Sequence, residues 1–157
     1  RGGGRRVSPD VGGPVTVGDI VAERTVHLTR ESLVRYAGAS GDFNPIHYRD
    51  DVAAEVGLPG VLAHGMLTMG LAVGTITPWL GDAGRILDYG VRFTRPVVVD
   101  PADGADLHIV ARIGQVADDA VRVDLTVTAA DTTVLGKAQV SVRPADQPAD
   151  STGDGAR

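Results

Sequence analysis

The sequence predicts an α+β domain in which one curved antiparallel sheet wraps a central helix. Two features of its patterning and one of its size lead there. From Gly65 to Leu80 runs the longest apolar stretch, in which Met66, Met69, Val73 and Ile76 recur at helical spacings of three and four. After it, Ile86 to Arg95, Asp106 to Val116, Ala120 to Ala129 and Val134 to Val142 alternate apolar and polar residues, the period of a strand. At 157 residues the chain fits one domain that can bury a real core.

In chain order, Val21 to Leu28 reads as a strand, and Thr29 caps a short helix through Ala37. Gly38 to Tyr48 is turn-rich, and Arg49 to Val56 is a short helix stopped by Gly57. The segment from Gly65 to Leu80 is apolar on most sides, which predicts a buried helix. The second half thus reads as an antiparallel meander, its alternation clearest in Val121, Val123, Leu125 and Val127. Asp118-Asp119 and Asp131-Thr132 fall where hairpin turns are needed. Such a sheet leaves an edge strand that a second copy could cover, so a dimer is expected. Both ends read as disordered tails. Residues 1–14 are rich in Gly, Arg and Pro, residues 144–157 in Pro, Asp, Gly and Ser, and the domain lies between, over 15–143.

Composition removes several function classes. The formal charge is 15 − 20 = −5, which argues against nucleic acid or an anionic membrane as a partner. The opening Arg-Gly-Gly-Gly-Arg-Arg has too few repeats to read as an RNA-contacting arm. With no cysteine there is no disulfide, thiolate zinc site or cysteine nucleophile, which fits a reducing, cytoplasmic setting. No apolar run approaches the roughly 20 residues that span a bilayer, and no signal peptide is visible.

The densest polar constellation is Tyr36-Ala-Gly-Ala-Ser-Gly-Asp42-Phe-Asn44-Pro45-Ile-His47. Pro45 fixes its own φ and biases Asn44 away from helix, so Asp42 and His47 can converge across a stiff turn. A carboxylate and an imidazole together can grip one water, one accepting its proton while the other orients it. Spacing alone leaves a plainer reading open, in which Asp42 bonds local amides and His47 is a satisfied surface histidine. The second constellation is Ala63-His64-Gly65-Met66, at the entry to the apolar helix. A helix N-terminus offers unpaired N–H groups and a positive dipole end, so the Gly65 amide could bind a carbonyl oxygen as charge develops on it. Here too a plainer reading stays open: Gly65 permits tight packing and His64 bonds backbone.

Read as Y-A-G-A-S-G-D-F-N-P-I-H-Y-R-D-D-V-A, Tyr36 to Ala53 resembles the signature of the MaoC-like (R)-specific enoyl-CoA hydratases, and Ala63 to Leu67 resembles their second block. Leu62 to Gly70 and Tyr89 to Thr94 resemble in particular the catalytic subunits of the actinobacterial (3R)-hydroxyacyl-ACP dehydratases of fatty acid elongation. The resemblance runs from about Val17 to Val142 and implies a single hot-dog fold of the α+β class. It also implies hydration or dehydration of 2-enoyl and 3-hydroxyacyl thioesters carried on CoA or acyl carrier protein. Asp42 and His47 fall on the catalytic pair, Gly65 on the oxyanion-hole glycine, and Asn44 and His64 on supporting positions. Neither metal nor cofactor is implied, although Asp42, His47 and His64 could be imagined as a metal site. A serine that some members place eight residues past the glycine falls on Val73, so that polar contact is in doubt. The implied assembly is a homodimer, or a heterodimer with a related hot-dog subunit.

Other residues carry weaker expectations. Arg92 and Arg95 could meet a phosphopantetheine or nucleotide phosphate, or stand solvated on a strand. His27 and His108 read as edge or packing residues, and Trp79 as core or interface. Two other functions remain open on the same fold. A non-catalytic acyl-binding or partner-stabilising subunit is expected to lose the pair that this sequence keeps. A thioesterase would release free thiol.

Overall fold

The computed structural model describes residues 13–144. The elements run β1 (Ile20–Leu28), α1 (Arg30–Ser40), a 3-10 turn (Pro45–His47), α2 (Asp50–Glu55), α3 (Gly65–Gly74), α4 (Thr77–Leu80), a second 3-10 turn (Ala83–Arg85), β2 (Ile86–Phe93), β3 (Ala105–Val116), β4 (Val121–Ala129) and β5 (Thr132–Val142). The strands form one antiparallel sheet in the order β1-β3-β4-β5-β2.

Alternation in the sequence becomes alternation of burial. Along β3, Leu107, Ile109, Ala111 and Ile113 are buried, and opposite them on β4 stand Ala129, Val127, Leu125 and Val123. Each large side chain so buried stabilises the fold by roughly 1.5–3 kcal/mol. Helix α3 brings Thr68 and Ala72 onto this layer, and the Tyr89 hydroxyl of β2 donates to the Met69 carbonyl at 3.0 Å. Trp79 is buried in the core, one of its two expected places. His27 and His108 lie on paired strands, with Asp106 and Glu23 beside them at 2.7 and 3.5 Å.

Four expectations need correction. Helix α3 stops at Gly74 instead of running to Leu80. Pro78 has no N–H to give, and its ring would clash with the Gly74 carbonyl four residues back, so the chain turns and restarts as α4 with the proline in its first turn. The helix is also not buried all round within this chain, since Met66 is 59% exposed. Strand β2 does not form a hairpin with β3; it lies at the far edge beside β5, and none of its residues is fully buried. The last hairpin turns at Ala130-Asp131, one residue earlier than Asp131-Thr132. Both turn residues have left-handed φ, 45° and 59°, as a two-residue turn between twisted strands requires. The other hairpin falls as expected around Asp118-Asp119, closed by Ala117 N–H to the Ala120 carbonyl at 2.9 Å.

Most of the expected tails, residues 1–12 and 145–157, lie outside the described residues. Among the described residues no helix is long and apolar enough to cross a membrane.

Candidate active site

The loop between α1 and α2 is held at both ends and along its length. Thr29 and Ser32 cap the start of α1 reciprocally, and Gly41, in the left-handed region at φ 77°, ends it with an N–H bond to the Ala37 carbonyl. At the far end Arg30 of α1 holds Asp50 of α2 through two bonds of 2.8 and 3.1 Å. Between these points the Ser40 hydroxyl accepts from Asp42 N–H, Asp42 Oδ1 accepts from Asn44 N–H, and Asn44 Oδ1 accepts from Ile46 N–H. Asn44 thus acts as the cap of the 3-10 turn that carries His47, with Pro45 in its first position.

His47 is turned inward by this geometry and is mostly buried. Its Nδ1 donates to the Leu62 carbonyl at 2.7 Å, which leaves Nε2 as the acceptor of the neutral ring. Nε2 faces Asp42 Oδ2 at 3.8 Å, and Asp42 itself is half-exposed. Two acceptors at that separation do not bond each other. A water placed between them can donate one proton to each and keep its oxygen lone pairs free.

His64 lies behind this pair, 1% exposed. Its Nε2 donates to the Asp42 carbonyl at 3.1 Å, and its ring stacks on His47 with centroids 3.8 Å apart and planes 21° from parallel. Tyr36 meets its other side edge-on at 4.8 Å. Burial pushes the His64 imidazole below its ordinary range, against the opposing pull of the Asp42 backbone. Its Nδ1 is buried with no partner among the described residues. A neutral ring stacked on His47 does not oppose a proton arriving there, as a charged one would.

Could Asp42, His47 and His64 hold a metal instead? One ligand atom from each lies within 4.8 Å of the others. Yet His47 Nδ1 and His64 Nε2 are engaged with carbonyls, and near-parallel rings send their in-plane lone pairs alongside one another, not to a common point about 2 Å away. The donor set fits a water better than an ion.

Gly65 begins α3 next to His64, and no side chain among the described residues caps this helix, so its leading N–H groups stay open. A cavity of about 340 Å³ joins Gly65 to His47 and continues past Thr68, Phe93 and Arg95. Of the five expected site residues, His47 and Gly65 line this cavity; Asp42 and His64 lie against His47 outside its lining, and Asn44 shapes the turn that carries it. Val73 does not line this cavity, Arg95 does, and Arg92 stands exposed on β2. Sequence reasoning missed the Leu62 carbonyl that fixes the tautomer, and it gave Phe93 no role. The only signal for Phe93 was its place in the stretch Tyr89 to Thr94.

Residues 14–134 match the family described as MaoC like domain. The 3-hydroxyacyl-thioester dehydratase X of Mycobacterium tuberculosis is 38% identical over 79 residues, which are 50% of this chain and 27% of that protein. Among solved structures, a MaoC-like dehydratase superposes with TM-score 0.79 at 41% identity, covering 82% of this chain and 40% of that one. R-Hydratase PhaJ1 from Pseudomonas aeruginosa superposes with TM-score 0.68 at 31% identity, covering 88% of this chain and 94% of the other. The chain thus spans well under half of the first two relatives and nearly all of the third. With the match running over most of its length and the hot-dog fold shared, the chain belongs to the MaoC-like domain family.

Proposed function

We propose that this chain reversibly hydrates (2E)-enoyl thioesters to (3R)-3-hydroxyacyl thioesters, carried on CoA or acyl carrier protein, in fatty acid metabolism. One observation carries the reading: His47 Nε2 and Asp42 Oδ2 stand 3.8 Å apart, and the cavity that His47 lines also reaches an uncapped helix N-terminus at Gly65. Conjugate hydration needs both halves. The thioester oxygen accepts from the Gly65 N–H, which draws electrons toward C1 and leaves C3 open to attack. Water held by Asp42 and His47 adds its oxygen to C3, the C2–C3 π electrons move toward the thioester oxygen, and the Asp42–His47 pair takes up one water proton. That proton then returns to C2 and the enolate collapses. Dehydration runs the same steps backward. Asn44 keeps the turn in shape and His64 holds the Asp42 backbone, so both act through the pair. The R configuration is supported by the likeness to an R-hydratase.

The test follows the loss of enoyl absorbance when crotonyl-CoA and longer enoyl thioesters are hydrated. Asp42→Asn and His47→Gln should each lower turnover by roughly 10²–10⁴ with the fold intact. The double variant should cost little more than the worse single one, because the two serve one water. Near-normal turnover in either single variant would remove the assignment, and release of free thiol would replace it with a thioesterase.

A further inference from the structure

Gly65 is a glycine for reasons of space and not of backbone, since its φ lies outside the left-handed region that other glycines here occupy. A Cβ at this position would meet Phe93 Cε1 at 2.9 Å, with Cδ1 at 3.2 Å and Cζ at 3.3 Å. The Phe93 ring therefore stands where a side chain of residue 65 would stand, against the first turn of α3. It ends β2 opposite Leu135, lines the same cavity as His47 and Gly65, and is still 52% exposed. An aromatic ring left half in water at a cavity wall is surface that a bound apolar group can cover.

We infer that Phe93 is a specificity-determining residue that contacts the substrate at C2 and excludes branches there. The inference rests on the hydratase reading. With the thioester oxygen at the Gly65 N–H, C1 lies beside α3, and C3 must reach the water between Asp42 and His47. C2 is then confined between those two points, along the wall that Phe93 supplies. A straight-chain enoyl group presents only hydrogen at C2, whereas a 2-methyl group must share space with the ring.

The experiment compares kcat/KM for crotonyl-CoA with that for its 2-methyl analogue, tigloyl-CoA, in the wild type, Phe93→Leu and Phe93→Ala. The wild type should prefer the unbranched substrate. Phe93→Ala should raise the tigloyl-to-crotonyl ratio about 10-fold or more, the usual weight of one methyl group against a pocket wall, with Phe93→Leu between the two. Because the ring is half-exposed, thermal stability should change little, and the ratio is independent of how much enzyme is folded. A ratio that stays constant while crotonyl-CoA is still hydrated overturns the role of Phe93 and leaves the hydratase reading standing. A wild type that hydrates no enoyl thioester, short or long, alone or with a related subunit, removes both.

Discussion

At His47 the bond from Nδ1 to the Leu62 carbonyl selects the tautomer in which Nε2 faces Asp42, so a backbone oxygen fifteen residues away readies the base. Gly65 shows a similar dependence on a distant partner. Gly65→Ala adds a methyl that meets the Phe93 ring, the movable end of a half-exposed side chain, so the fold should tolerate it. The amide N–H is still present, but the methyl stands in the way of the thioester oxygen, so we expect a melting temperature within a few degrees of the wild type and a turnover lower by about 10²–10³, as if one oxyanion donor were lost. Measuring both on one preparation separates this from a packing role, in which stability would fall and activity per folded molecule would survive. Activity restored in Gly65→Ala/Phe93→Ala would shift the effect from the amide to the ring. Asp42, Asn44 and His47 were legible in the sequence because turn chemistry acts over a few residues, and Pro45 confines it. The Leu62 and Phe93 contacts were not, because they join elements that local patterning does not pair.

Among the elements, the loop between α1 and α2 is tied to the start of α3 by His64, and that tie gives a pH signature. Burial holds the folded His64 below its ordinary 6.5. In the unfolded chain it binds a proton as pH falls through 6.5, while the folded chain still keeps it neutral. The unfolded state then carries more protons, so this contribution is complete above 6.5 and is lost as pH falls toward the lower folded value. Asp50, Asp51 and Asp100 are also held below their ordinary 3.8, and they act in a more acidic window. The melting temperature of the wild type should therefore drop more between about pH 7.5 and 5.5 than that of His64→Gln. Equal slopes would mean that His64 is not held neutral. Strands β3, β4 and β5 were readable because each buries one face and exposes the other. Strand β2 alternates too, but alternation names no partner, and its place beside β5 is a property of the sheet. The end of α3 at Gly74 was written in Pro78, yet apolar periodicity continues through it and hides the break.

For the molecule as a whole, β1 and β2 are edges, and the outer side of α3 remains open. Met66 of α3 and Leu87 of β2, 59% and 48% exposed, leave apolar surface for a partner to cover. Sedimentation or light scattering should show at least a dimer at micromolar concentration, and a stable, active monomer would contradict this. A dimer that stays inactive until a related subunit is added would point to the heterodimeric form. The sheet order has a further consequence, in time. Asp42, His47 and Gly65 all precede residue 66, but the cavity wall needs Val134 and Leu135 of the last strand, and β2 has no neighbour in the sheet until β5 exists. During synthesis the reactive groups thus emerge early and wait, with α3 and β2 uncovered, until nearly the whole domain has left the ribosome. Pairings this distant in sequence close slowly, in milliseconds to seconds for small domains rich in them. The site cannot be completed before the last strand is made, although its reactive residues all lie in the first half of the chain.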